Sequence, residues 1–183
     1  FKGGAAVHAL VKRGGYERID GLFATLPAST EQLLHPEKAG PQAEGRDDPT
    51  VIELPDLTSH LGDGWSFLAK NTFGELHLRS LFETLLNGRD QANACAGWDG
   101  DRYYAYGKTG EQWAAFTWYL VFDTDADATE FATALEAAKA KGPPPLAGAE
   151  ITTRGAHVLV LGGVPADKLE AVRTAVFEGR TAQ

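Results

Sequence analysis

Glu31 and His35 stand four residues apart in the segment STEQLLHPEK, residues 29–38. On a helix that spacing puts both side chains on one face. A carboxylate beside an imidazole is the pairing that orients a ring for proton transfer or for holding an oxyanion. Ser29 or Thr30 can cap the helix, Gln32 completes a capping box from Ser29, and Pro36 prevents continuation past His35. The chain holds no complete catalytic set around them. A catalytic zinc needs about three protein ligands and an open position, and no HExxH pair is present. No serine sits in a nucleophile elbow. His8, His60, His77 and His157 recur at no ligand spacing and read as structural.

A second group lies in GWDGDRYYAYG, residues 97–107. A tight turn there would present Trp98, Asp99, Asp101, Arg102 and Tyr103 together to a substrate or partner. An Asp–Arg pair bracing the turn accounts for the same residues. Asp123, Asp125 and Asp127 imitate the opening of a calcium loop, but Ala128 stands where the loop needs glycine and Ala134 where it needs a bidentate glutamate. They read instead as acidic residues at the positive end of a helix dipole. Cys95, inside ANACAG, reads as a buried structural thiol.

The elements that must position these groups change period along the chain. Residues 5–12 form a short helix ended by Gly14 and Gly15, and Tyr16, Ile19, Leu22, Phe23 and Leu26 recur at helical spacing up to Pro27, which predicts two packed antiparallel helices. Residues 36–63, rich in Pro, Gly, Asp and Glu, predict a long surface loop with a brief strand over 51–54. A strand over 65–70 follows. Thr72 to Glu75 then makes a second capping box for a helix with Leu78, Leu81, Phe82 and Leu85 on one face. Residues 112–122 place apolar groups on both faces, as a central strand requires. An alanine-rich helix over 123–141 has Phe131, Leu135 and Ala138 inward, strands over 150–154 and 157–162 meet at Gly155, and Leu169, Val172 and Val176 mark a last helix. The fold class is therefore α+β, an N-terminal helical region followed by a small antiparallel sheet with helices packed on one face. The division falls into a mainly helical part over 1–97 and an α+β part over 98–183, ordered strand, strand, helix, strand, strand, helix.

Composition narrows the partners. A chain of 183 residues with 43% hydrophobic content can bury a substantial core. Its 17 basic residues against 25 acidic ones give a net charge of −8, with no basic patch for phosphate backbones, so nucleic acid is not expected. No apolar run approaches the roughly 20 residues of a membrane span, and the first ten residues lack a signal peptide's apolar region. A start at Phe1 with no methionine anywhere predicts a processed product or a fragment.

STEQLLHPEK (29–38), NTFGELHLRSLF (71–82), AGWDGDRYYAY (96–106) and FDTDADATEF (122–131) also carry a resemblance. In the same order they are similar to patterns in the C-terminal half of a largely uncharacterised family of exported bacterial and archaeal proteins: P-x-STEQ-x-LHPEKY, a GE-bearing helix, GWGGDRY and WDT-x-x-DA-x-EF. The chain departs from these patterns at Ala39, Asp99 and Phe122. The N-terminal half of that family resembles a zinc-metallopeptidase domain with an HExxH helix. The resemblance implies an exported protein, periplasmic, outer-membrane-associated or extracellular. This chain would be the C-terminal part of a metallopeptidase-like precursor, contributing to the substrate cleft or the scaffold. His35 would stabilise an oxyanion or orient substrate, with Glu31 fixing its ring. No cofactor is expected in this chain, zinc belonging to the N-terminal part, and the partners would be that domain and a protein or peptide substrate. The alternative is a non-catalytic binding or assembly module of the cell envelope, recognising a protein or glycan through the aromatic turn at 98–106. That reading expects Trp98 and Tyr103 or Tyr106 to be exposed beside a shallow groove.

Overall fold

A computed structural model describes residues 2–39, 45–86, 90–111 and 115–182. Packing divides the chain into two compact units, Phe1–Pro49 with Gly74–Leu76, and Thr50–Phe73 with His77–Gln183. The division expected at residue 97 moves accordingly, because the stretch after Pro49 and most of the helix after Phe73 pack with the sheet.

In the first unit, helix α1 (Lys2–Ala24) is broken at Gly14 and Gly15, the latter at φ 70° and ψ −165°, a conformation that favours glycine. The expected interruption is there, but the expected packing stripe is not. Tyr16, Phe23 and Leu26 are 76, 77 and 68% exposed, and of the described side chains of α1 only Leu10 is buried. A five-residue helix, α2 (Thr30–Leu34), follows.

The second unit is built on a five-stranded antiparallel sheet in the order β2-β3-β4-β6-β5. Its strands are β2 (Trp65–Asn71), β3 (Trp98–Lys108), β4 (Ala115–Phe122), β5 (Glu150–Arg154) and β6 (His157–Gly162). The α+β class with an antiparallel sheet is what the chain adopts. β4 is the central strand, as its two-sided apolar pattern required, and the expected start of that strand, residues 112–114, lies outside the described residues. Phe116, Trp118, Leu120 and Phe122 join Val158 and Val160 of β6 in one core. That core is closed by Leu78 and Phe82 of α4 (Gly74–Leu86) and by Phe131 and Leu135 of α5 (Asp125–Lys139). Thr124 caps α5: its hydroxyl oxygen accepts the Asp127 N–H at 3.2 Å and its O–H donates to the Asp127 carboxylate at 2.6 Å. Asp125 and Asp127 therefore open a helix, as read from the sequence. A short 3₁₀ turn, Asp90–Cys95, brings the buried Cys95 thiol into the same core.

The opposite face is covered too. Val172 and Val176 of α7 (Leu169–Gly179) pack there with Tyr119, Val121, Leu159 and Leu161. They are joined by Ile52, Leu54, Leu57 and Leu61, each 6% exposed or less. The stretch read as surface loop thus carries a core stripe, on β1 (Ile52–Glu53) and α3 (Thr58–Leu61). Its many Pro and Asp residues mark bends between buried leucines, not solvent exposure. β1 pairs antiparallel with β7 (Thr181–Ala182), so the chain's last residues tie down this segment. One more short helix, α6 (Pro144–Ala147), precedes β5. Edge strand β2 carries an extra residue, Leu68, between the paired positions Phe67 and Ala69, and exposes Phe67 and Leu68 by 43 and 62%.

Burial predicts a sharp contrast between two apolar positions in this unit. Phe131→Ala, at 0% exposure, should cost about 3–5 kcal/mol in urea denaturation. Leu68→Ala should cost about 1 kcal/mol or less. Equal costs would contradict this assignment of core and edge.

Candidate functional site

The capped turn of the first unit forms as the sequence required. The Ser29 hydroxyl accepts the Gln32 N–H at 3.3 Å, and His35 is the C-cap, with φ −119° and ψ 78°. The return bond differs in detail. The Gln32 carbonyl oxygen takes the Ala28 N–H at 2.7 Å, one residue before the cap, while its amide donates to the Asp47 carbonyl and, at 3.1 Å, to the Asp48 carboxylate. Gln32 is 1% exposed, so one buried side chain satisfies three polar groups on two segments of the chain.

Glu31 and His35 take different partners. The buried Glu31 carboxylate accepts the Lys38 ammonium at 2.6 Å, and Lys38 also reaches Asp47 at 2.9 Å. The carboxylate against the His35 ring is that of Glu75, on the first turn of α4: its two oxygens lie 3.2 and 3.1 Å from Nε2, and Glu75 is 0% exposed. Glu37 stands 3.7 Å from Nδ1. Because His35 leaves helical geometry at the C-cap, the i,i+4 relation that would have set Glu31 on its ring is not available. Glu75 takes the orienting position, and the expected capping box from Thr72 gives way. The Thr72 hydroxyl donates to the Asp101 carbonyl at 3.2 Å instead, and α4 starts only at Gly74. A Cβ at Gly74, whose φ is 74°, would lie 2.7 Å from the Thr30 hydroxyl, so glycine allows this close approach. Nothing in sequence spacing connects His35 to a carboxylate forty residues away. The available signal was placement: Glu75 precedes Leu78 by three residues and Phe82 by seven, on the apolar face of the helix. The His35 side chain keeps 28% of its surface, so an imidazole held by a buried carboxylate is presented to its surroundings and can donate or accept a proton.

Residues 98–106 are a strand, not a turn. The extra residue Asp99 between Trp98 and Gly100 makes a β-bulge that reverses the facing of everything before it. Trp98, Asp101 and Tyr103 consequently pair with Phe122, Leu120 and Trp118 on the α4/α5 face, whereas Arg102 pairs with Tyr119 on the other. The five residues do not form one cluster. Asp99 binds the start of the β1 segment, accepting the Thr50 hydroxyl at 2.5 Å through its carboxylate and the Thr50 N–H at 2.6 Å through its carbonyl. The buried Asp101 carboxylate accepts the Phe73 N–H at 2.7 Å. Arg102 donates to the Ile52 carbonyl at 2.8 Å and to Glu53 at 3.3 Å, so the Asp–Arg brace is replaced by Arg–Glu. Glu53 also accepts the Tyr104 hydroxyl at 2.8 Å and the Lys70 ammonium at 3.2 Å. The Tyr104 hydrogen bond first, then Lys70, holds the Glu53 carboxyl below its ordinary range, and burial together with Glu53 pushes the Tyr104 phenol up.

Trp98 and Tyr106 are buried, at 2 and 1% exposure, while Tyr103 is only half-buried. Tyr103 opens on a groove that sequence reasoning missed. Between α4 and α6 lies a cavity of about 500 Å³, walled by Phe73, Leu78, Leu81, Tyr103, Phe116 and Trp118, with His77, Ser80 and Thr84 also lining it. A second depression of about 430 Å³ adjoins it, sharing Tyr103, Phe116 and Pro145 and running over Ser66, Leu68, Ala105 and Gly107 of β2 and β3. Tyr103 and Phe116 stack at 5.3 Å, and Phe73 meets Tyr103 and Trp118 edge to face at 5.3 and 5.2 Å. The Trp118 indole N–H has no hydrogen-bond partner among the described residues. Such volumes and linings suit small ligands or single side chains.

A family model described as a domain of unknown function (DUF8575) matches residues 66–173. That is more than half of the chain, and the chain belongs to this family. No curated protein matches the chain, and no solved structure matches it. The matched stretch contains every residue that walls the groove and excludes His35. No helix among the described residues is long and apolar enough to cross a membrane.

The His35–Glu75 pair should behave as a coupled unit. His35→Gln and Glu75→Gln, measured singly and together by urea denaturation, should show a coupling energy of about 1–3 kcal/mol. Additivity within about 0.5 kcal/mol would remove the pair from the account of this turn.

Proposed function

We propose that this member of the DUF8575 family is a recognition module that takes an apolar peptide side chain into the groove between α4 and α6, and that it does so within a longer, exported, metallopeptidase-like protein. The observation that carries the binding reading is the aromatic groove itself: about 500 Å³ of space with Phe73, Tyr103, Phe116 and Trp118 around it. An open apolar cavity of this size leaves area unburied that a ligand can bury at about 25 cal/mol per Å². The Trp118 N–H, without a partner among the described residues, offers one directional donor within the wall, suited to a backbone carbonyl. The family resemblance supports the rest of the reading, namely export, a zinc-bearing N-terminal domain and a peptide substrate. Within this reading the chain contributes recognition, and the metal chemistry belongs to the other domain.

A second role rests on His35. Its ring is fixed by a buried carboxylate and remains partly exposed, the arrangement that suits an imidazole to hold an oxyanion or position a substrate.

For the groove, short capped peptides with a central Phe or Leu should quench tryptophan fluorescence saturably, and the same peptide with a central Asp should not. Tyr103→Ala and Leu81→Glu should each weaken binding at least about tenfold, or roughly 1.4 kcal/mol, while the protein still unfolds cooperatively. Absence of saturable binding, or binding indifferent to both substitutions, would refute the module. For His35, His35→Gln in the longer protein should lower peptide hydrolysis while zinc content stays the same. Undiminished hydrolysis would end that role.

A further inference from the structure

At the β5 edge of the sheet, opposite β2, two arginines stand close together. Arg154 ends β5 and Arg180 follows α7. Their guanidinium groups lie over one ring, that of Phe177, at 3.9 and 5.4 Å from its centroid, and Arg180 also lies 5.0 Å from the Tyr119 centroid. In a chain with an excess of acidic residues, neither arginine forms an ion pair with a carboxylate among the described residues. Arg180 donates one N–H to the Phe177 carbonyl, which satisfies part of the C-terminus of α7. Among the described residues, most of its five donors and all of those on Arg154 have no hydrogen-bond partner. Two like charges held on one ring also repel each other.

Beneath them two buried polar atoms lack partners among the described residues, the Tyr119 hydroxyl and the His157 Nδ1. Tyr119 is 0% exposed, and the His157 ring lies 5.7 Å from it, centroid to centroid. Burial pushes the phenol up to about 12, against the pull of Arg180 and Arg154, so the hydroxyl keeps its proton and remains a donor. Burial first, then Arg180, lowers the His157 value, and Asp125 opposes this more weakly, so the imidazole is neutral at pH 7. Helix capping explains one bond of one arginine. It explains neither the second arginine nor the orphaned phenol.

We propose that this corner of the second unit is a binding site for a small oxyanion, a phosphate or carboxylate group, gripped by the Arg154 and Arg180 guanidinium groups with the Tyr119 hydroxyl as a third donor. A guanidinium matches two oxygens of such a group at once, and a phenol held above its ordinary range adds a donor that does not ionise. The bound charge relieves the repulsion between the arginines. The site is distinct from the groove, since Arg154, Tyr119 and Arg180 line neither depression, and its occupant is recognised by charge rather than by apolar area.

Amide-detected NMR titrations with sodium phosphate and, separately, sodium acetate test this, with sodium chloride at matched ionic strength as the control. Saturable shifts are expected at the amides of residues 154–157 and 178–181, with a Kd near or below about 1 mM for the preferred anion. Whether phosphate or acetate gives the tighter curve identifies the ligand group. Arg154→Gln, at an exposed position, should weaken binding about tenfold or more without changing the fold, and Arg180→Gln likewise. Tyr119→Phe should weaken it several-fold while leaving the ring in place. If both anions only reproduce the chloride shifts, or if Arg154→Gln titrates like the parent protein, the proposal is overturned.

Discussion

Phe116, Trp118, Leu120 and Phe122 leave β4 on one side, and Ala115, Thr117, Tyr119 and Val121 on the other, and no residue of the strand is more than 7% exposed. A strand that is apolar on both faces has to be covered twice. That requirement organises the second unit. It places β3 and β6 on the two edges of β4, α4 and α5 over one face, and α7 with the β1–α3 segment over the other. Ring contacts from Trp118, Tyr119 and Phe122 to Phe73, Phe131 and Phe177 tie these layers to the same strand. The open groove lies on the first face, where α4 and α6 stand on either side of an aromatic floor of Tyr103, Phe116 and Trp118.

Local, periodic features were legible in the sequence. The two-sided pattern of β4, the inward Phe131, Leu135 and Ala138 of α5, the turn at Gly155 and the Ser29 cap all depend on neighbours within a few residues, and all are present. What was not legible depends on distant partners. The stretch containing Ile52, Leu54, Leu57 and Leu61 looks like a loop because prolines and aspartates separate its apolar positions, and only the uncovered second face of the sheet explains their burial. Glycine and aspartate at 99–101 imitate a turn. Gly100 is there instead because a Cβ would come 2.4 Å from the Thr50 carbonyl oxygen, where the β1 segment crosses β3. Glu31 stands one helical turn before His35 in sequence, but the carboxylate within hydrogen-bond distance of the ring is that of Glu75.

The candidate sites therefore separate by kind of chemistry. In the first unit a partly exposed imidazole is held by a fully buried carboxylate. In the second unit the groove offers apolar area and one indole donor, and the corner at Arg154 and Arg180 offers charge. The residues expected to act together at 98–103 serve mainly to build the sheet: Asp99, Asp101 and Arg102 bind the backbone of Thr50, Phe73 and Ile52. Of these residues, Tyr103 lines both depressions.

β2 has a consequence for how the protein lives at high concentration. Its outer edge pairs with no strand among the described residues, and Phe67 and Leu68 leave it partly open to water, the ingredients of a template on which a foreign chain could stack. The inserted Leu68 spoils that template. By breaking the two-residue repeat it misaligns the next row of donors and acceptors, and Lys70 adds a charge close by. The residue that exposes apolar surface on this edge is thus also the one that interrupts the regular pairing geometry a stacking strand would need.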